Sequence, residues 1–199
     1  FEARTIIENI KKTLIFLLST SLGEILIVIG SLVIGLPMPL LPAQILWINL
    51  ITDGFLDISL AQEPAEEVFK TYNYKRYHGA LLKKKEFLRM AVMSTTMAMV
   101  SLVTFTFVLK LFVLEVARTV MLILMTIIQW FNSLNVRKHT ASLFSHNLFG
   151  NRYLVGALAF EIVLLLLSIY TSLGNKLLKT VALDFQIVMY LMFIATSII

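Results

Sequence analysis

Asn49-Leu50-Ile51-Thr52-Asp53-Gly54 places an amide, a hydroxyl and a carboxylate inside a run, 41–62, that is otherwise apolar enough to lie in a bilayer. A carboxylate at membrane depth is costly and marks a functional site by default. On an α-helix Asn49, Thr52 and Asp53 stand at positions i, i+3 and i+4, so their oxygens gather on one face. Such a face offers oxygen ligands to a single cation, which predicts an intramembrane ion site.

The composition of the whole chain favours a membrane protein. Of its 199 residues, 58% are hydrophobic and only 15% are charged, against about a quarter charged in soluble domains. The formal net charge of +5 comes from cations in short loops between apolar runs, so it indicates membrane topology and no nucleic-acid partner. Cysteine is absent, so any bound cation must accept oxygen ligands.

Apolar runs of the length that crosses a bilayer, about 20 residues, predict an all-α polytopic membrane protein with six transmembrane helices in one bundle. The predicted spans are 13–36, 41–62, 90–112, 117–136, 153–173 and 185–199, after a polar stalk at 1–12. Two prolines, Pro37 and Pro39, predict a tight turn between the first two spans. No separate soluble domain fits, so we expect 1–199 to form a single membrane domain.

Basic residues predict the orientation of the spans. The loop 70–89 contains seven lysines and arginines, whereas the turn between the first two spans has no charge. By the positive-inside rule this loop is cytoplasmic, which puts both ends of the six-span chain on the cytoplasmic side. Within it, Lys83-Lys84-Lys85 is expected to anchor to lipid headgroups, with a regulatory contact as the alternative. Exceptions on the opposite side are Lys110, Arg118, Lys176 and Lys179.

Further polar residues fall at the depth of Asn49 and Asp53. Glu24 lies near the middle of the first span, and an antiparallel second span brings it level with them. Gln129 and Glu161 lie in the inner halves of the fourth and fifth spans. Two more candidates for the coordination shell are Ser21, about one turn before Glu24, and Asp57, one turn beyond Asp53.

The alternative role for each of these residues is an interhelical hydrogen bond that stabilises the bundle. That role is favoured for Ser21, Thr52 or Gln129 taken singly, and for Glu161, which has no polar neighbour in sequence. For Glu24 and Asp53 together a cation site is favoured, because a central carboxylate costs about 2.5 to 3.5 kcal/mol on insertion scales. Asp57 stays open between a ligand and a vestibule residue.

The stretch Leu41-Pro42-Ala43-Gln44-Ile45-Leu46-Trp47-Ile48-Asn49-Leu50-Ile51-Thr52-Asp53-Gly54 resembles the sixth transmembrane helix of type II P-type cation-transporting ATPases. Leu22-Gly23-Glu24 and the polar segment before it resemble that family's fifth helix and its cytoplasmic stalk. The resemblance implies that the chain covers the fifth to tenth membrane helices of an ion pump. Its partners would then be the bilayer, the first four membrane helices and a cytoplasmic headpiece, in the plasma membrane or an organelle membrane.

The same resemblance assigns the ATP chemistry to the headpiece, which would hold the phosphorylated aspartate of an Asp-Lys-Thr motif and the site for ATP and Mg²⁺. This chain contains neither that motif nor a Gly-rich phosphate loop, so it is not expected to hydrolyse ATP alone.

Carried over by resemblance, Glu24, Asn49, Thr52 and Asp53 match positions at which calcium pumps coordinate their ions, with Asp53 as the bridging ligand. Ser21 replaces an asparagine of those pumps and Gln129 a glutamate, which implies one Ca²⁺ site. Gln129-Trp130 and Phe160-Glu161 resemble instead the sodium/potassium pumps, so transport of Na⁺ or K⁺ is the first alternative. A non-enzymatic, stand-alone membrane subunit is the alternative of another class.

Overall fold

The computed structural model describes residues 2–64, 82–137 and 150–198, and this part of the chain is helical without strands. The α-helices are α1 Glu2–Val33, α2 Pro42–Trp47, α3 Gly54–Ala61, α4 Lys84–Leu111, α5 Leu114–Val136, α6 Arg152–Tyr170, α7 Ser172–Leu178 and α8 Phe185–Ala195. A π-helical segment, Ile48–Asp53, joins α2 to α3, and a 3-10 turn, Thr196–Ile198, follows α8. The predicted all-α fold is therefore confirmed for the described residues.

Four helices of the described part are long and apolar enough to cross a membrane: Thr5–Val33 of α1, then α4, α5 and α6. They match the first, third, fourth and fifth predicted spans. The sixth predicted span, 185–199, contains the shorter apolar helix α8. Three of the basic residues that predicted the orientation, Lys70, Lys75 and Arg76, lie outside the described residues.

The second predicted span is not one regular α-helix. The chain reverses at Gly35, whose φ of 73° is left-handed, and Leu36 N–H closes the end of α1 by donating to Ser31 O at 2.8 Å. Pro42 then begins α2 in the position that proline favours, because the first turn needs no backbone donor there. The π-helical segment interrupts the span at Ile48–Asp53 before α3 continues to Ala61.

The core is built around α5. Every residue from 119 to 130 is buried, and a helix that is buried all round belongs to the interior of a bundle. The helix α1 packs mainly along α4, where Gly23 lies against Met97 and Gly30 against Leu102. This arrangement places α1, α5 and the π-helical segment in mutual contact.

A buried polar network ties α1, α3, α5 and α6 together at the end where α1 begins. Glu63 pairs with Arg137 at 2.8 Å and accepts a hydrogen bond from Asn151 Nδ2 at 2.6 Å. Asn9 Nδ2 donates to the carbonyl oxygens of Ala61 at 3.1 Å and Glu63 at 2.8 Å. We call Asn9, Glu63, Arg137 and Asn151 the Glu63 node. It fixes the end of the helix that follows Asp53.

The segment after α6 contains a short helix, α7, that the hydropathy pattern does not predict. The fifth span ends at Tyr170 instead of residue 173, because Thr171 leaves the helix and caps α7 by accepting from Gly174 N–H at 3.1 Å. On α2, Gln44 Nε2 donates to Leu178 O at 3.0 Å. This contact anchors the far end of the interrupted span.

Candidate cation site

Glu24 lies where α1, the π-helical segment and α5 meet. Its side chain is buried, with 8% of its surface exposed. Its Oε2 accepts from Asn49 Nδ2 at 3.0 Å and its Oε1 from Gln129 Nε2 at 3.2 Å. The structure therefore brings together three of the residues predicted from sequence, from the first, second and fourth predicted spans. In the described part of the chain, Glu24 has neutral amides as partners and no lysine or arginine.

Asp53 ends the π-helical segment and is 2% exposed. Thr20 Oγ1 donates to its Oδ2 at 3.3 Å, while its Oδ1 is buried without a hydrogen-bond donor. Thr52 is also buried, but Asn49 is exposed. The three residues thus do not share one buried face, as a regular α-helix predicted: Thr52 and Asp53 lie in the interior of the described bundle and Asn49 lies at its surface.

The remaining candidates lie on α3, α5 and α6. Glu161 is buried, and its Oε2 accepts from Trp130 Nε1 at 2.7 Å. Asp57 is half-buried on α3. The carboxylates of Glu24, Asp57 and Glu161 are close enough to Asp53 for their charges to act on it. The site is therefore a concentration of acidic groups in a poorly solvated interior.

Buried acceptor oxygens without donors recur in this region. In addition to Asp53 Oδ1, the side chains with such an oxygen are Asp57, Gln129, Asn132 and Glu161. Buried oxygens in native proteins are nearly always hydrogen-bonded or bound to an ion. Oxygen atoms with free lone pairs are what hard cations take as ligands. The arrangement suits cation binding.

Carboxylates alone do not make a metal site here. Among residues 2–64, 82–137 and 150–198, no group of three or more His, Cys, Asp or Glu side chains is arranged to hold one ion. A bound cation would need amide, hydroxyl or backbone oxygens beside one or two carboxylates. The π-helical segment is relevant here, because π-turns recur at functional sites and loosen the regular backbone hydrogen bonding.

Sequence reasoning placed most of these residues but missed three. Thr20, Ser19 and Asn132 extend the polar group: Thr20 donates to Asp53, and Asn132 Nδ2 donates to Ser19 Oγ at 3.0 Å. Thr20 stands four residues before Glu24 and Asn132 three after Gln129, so helical spacing makes both of them candidates, but it does not separate Thr20 from Ser21. Ser21, the residue predicted instead, is half-buried outside this hydrogen-bonded group.

Comparison with known families gives one match that covers most of the chain. The family model "Cation transporting ATPase, C-terminus" matches residues 37–199. That range contains Asn49, Asp53, Gln129 and Glu161, while Glu24 lies before it.

Several curated proteins are similar over nearly the whole chain. A calcium-transporting ATPase of Bacillus subtilis is 32% identical over 185 residues, which is 92% of this chain and 21% of that protein. The probable cation-transporting ATPase F of Mycobacterium tuberculosis is 28% identical over 99% of this chain and 22% of its own length. The human calcium-transporting ATPase type 2C member 1 is 29% identical with the same coverage. The chain thus spans about a fifth of the length of these relatives.

Proposed function

Because this chain belongs to the family of cation-transporting ATPase C-terminal regions, we propose that it is the membrane transport domain of an ATP-driven pump and holds the intramembrane cation site. We further propose Ca²⁺ as the transported ion, moved out of the cytoplasm. Two of the relatives named above are calcium-transporting ATPases, which supports Ca²⁺ over the alternatives.

One observation carries the proposal: Glu24 and Asp53 lie buried near each other, surrounded by oxygen-bearing side chains of three helices. Among the described residues, Glu24 accepts from the amides of Asn49 and Gln129, and Asp53 Oδ1 has no hydrogen-bond donor. Two buried carboxylates without a cationic side chain would be strongly unfavourable if they stayed charged with no ion bound. A cation supplies the missing positive charge.

The amides suit a site that is alternately filled and empty. Asn49 and Gln129 now direct their N–H groups to Glu24, and a half-turn of either amide presents its oxygen at the same position. Ca²⁺ takes six to eight oxygen ligands, so Glu24, Asn49, Thr52 and Asp53 form the core set in this proposal. Ser21, Asp57, Gln129 and Glu161 are the further candidates, and Gln129 is hydrogen-bonded to Glu24.

Sodium is the second candidate, on the evidence of α5 and α6. Gln129 is neutral, and Glu161 is held by Trp130 on one oxygen and has no donor on the other. Compared with a glutamate at this position, the neutral Gln129 gives the site one negative charge fewer. This weakens the attraction for a divalent ion more than for a monovalent ion. Under this alternative the same bundle transports Na⁺ or K⁺.

The proposal includes a topology and partners. Six spans with both ends cytoplasmic would place the Glu63 node at the cytoplasmic surface and residues 1–199 in one membrane domain. The first four membrane helices would cover the exposed Asn49 side of the site, and the headpiece would supply ATP and Mg²⁺ chemistry. The stalk part of α1 would carry movement from that headpiece to Glu24. The plasma membrane is the proposed location.

The test is ion-dependent phosphorylation from ATP, measured on the protein at its full natural length. We expect Ca²⁺ to stimulate phosphoenzyme formation and EGTA to remove that stimulation. The substitution Asp53→Asn should abolish phosphoenzyme formation. Phosphoenzyme formation that Na⁺ stimulates and EGTA does not affect would show that the transported ion is Na⁺ and not Ca²⁺. A protein that neither forms a phosphoenzyme nor binds any of these ions would be a stand-alone membrane subunit, contrary to the proposal.

A further inference from the structure

The start of α4 carries a compact basic patch next to exposed apolar side chains. Lys83, Lys84 and Lys85 are all exposed, and the next turn exposes Phe87 and Leu88, at 56% and 66% of their surface. Cations at a helix N-terminus are unfavourable to the helix itself. The three lysines therefore do not serve the stability of α4.

The neighbouring carboxylate does not neutralise this patch, and the neighbouring guanidinium is not part of it. Glu86 is occupied: its Oε1 pairs with Lys11 Nζ at 2.6 Å and its Oε2 accepts from Lys83 N–H at 2.9 Å. Arg89 turns inward, where its guanidinium donates to Asn135 O at 2.5 Å. Within the described residues, Lys11 and Arg137 form salt bridges with Glu86 and Glu63, and no salt bridge is found there for the ammonium groups of Lys83, Lys84 or Lys85.

We propose that Lys83, Lys84 and Lys85, with Phe87 and Leu88, form a binding surface for anionic phospholipids of the surrounding bilayer. The candidate membrane span Lys84–Leu111 begins within this patch, so the proposal places the ammonium groups at the level of the headgroup phosphates. Phe87 and Leu88 face the acyl chains one turn deeper. Each lysine near an anionic leaflet strengthens the binding of the protein to that leaflet by about fivefold.

The chain offers a matched control for charge. Lys110, Lys176 and Lys179 are also exposed, but they lie at the opposite end of the bundle and are not consecutive. Replacing either set of three lysines by glutamine removes the same total charge. Only the first set lies in the proposed surface, so the two triple variants separate a local site from a general effect of net charge.

The experiment measures lipid binding to the protein at its full natural length, purified in a neutral detergent, by native mass spectrometry. Dioleoylphosphatidylglycerol is the anionic probe and dioleoylphosphatidylcholine the zwitterionic one. We expect the phosphatidylglycerol affinity to fall at least about tenfold in the variant K83Q/K84Q/K85Q, and to stay within about twofold of wild type in K110Q/K176Q/K179Q. Phosphatidylcholine binding should be equal in all three proteins.

A second measurement keeps the proposal testable if the triple variant is poorly folded. Wild-type protein in nanodiscs of mixed composition should retain anionic lipid preferentially at low ionic strength and lose that preference as salt increases. The substitutions K83R/K84R/K85R should preserve the phosphatidylglycerol affinity. Equal losses in the two glutamine variants, or a wild-type preference that salt does not change, would overturn the proposal.

Discussion

At the scale of single residues, the proposed cation site depends on the hydrogen bonds that hold Glu24. Its two oxygens accept one amide N–H each, from Asn49 and Gln129. Amides are the side chains that can serve as donors to a carboxylate and, after rotation, as oxygen ligands to a cation. Under the proposed function, amides at these two positions would keep the site stable both with the cation bound and without it.

Gln129→Glu tests this arrangement. The change removes the hydrogen bond to Glu24, worth about 1.5 to 3 kcal/mol for a charged acceptor, and places a second carboxylate against the first. We expect the apparent melting temperature in EGTA to fall, and Ca²⁺ to raise it by more than in wild type. Gln186→Glu, at an exposed position of α8, is the control. A variant as stable as wild type in EGTA would contradict the arrangement.

The sequence alone indicates Glu24 and Asp53 as candidates for the site, but it does not identify every side chain that contacts them. Glu24 and Asp53 stand out because charge is costly in an apolar helix. Thr20 and Ser21 are both about one turn from Glu24, and helical spacing does not decide between them. The rotation of α1 against the π-helical segment decides, and it depends on packing against α4 and α5 that the local sequence does not contain.

At the scale of elements, α1 and α4 pack closely at Gly30. A Cβ atom added to Gly30 would come within 2.6 Å of Leu102 Cδ1, whereas one added to Gly156 would meet no atom within 4 Å. We expect Gly30→Val to lower the free energy of unfolding by about 1 to 3 kcal/mol through overpacking. Gly156→Val is the matched control and should change it little. Equal effects in thermal unfolding would show that this contact is not tight.

The hydropathy pattern predicted helices α1, α4, α5 and α6 because long apolar runs have one solution in a bilayer. It did not predict the π-helical segment, since one residue added to a turn leaves hydrophobicity almost unchanged. Short helix α7 was also missed, because its start depends on Thr171 as a cap and on contacts with α2. Local geometry of this kind depends on tertiary packing.

At the scale of the whole molecule, the Glu63 node joins four helices at one end of the bundle. We expect Glu63→Ala to lower the free energy of unfolding by about 3 to 5 kcal/mol, because Arg137 and Asn151 lose a buried carboxylate partner. Glu115→Ala, at an exposed position at the start of α5, should be nearly neutral. Thermal unfolding in detergent compares the two. A small effect of Glu63→Ala would mean that the helix ends hold together without the node.

In the proposed pump, Asp53 binds the transported ion inside the bundle. The decisive measurement is equilibrium binding of radioactive Ca²⁺ to purified protein at its full natural length. The matched variants are Asp53→Asn and Asp184→Asn, the latter at an exposed position before α8. We predict that Asp53→Asn reduces the Ca²⁺ affinity at least about a hundredfold, as expected for the loss of a charged ligand from a poorly solvated site. Asp184→Asn should bind as wild type does. Undiminished Ca²⁺ binding by Asp53→Asn would contradict the account.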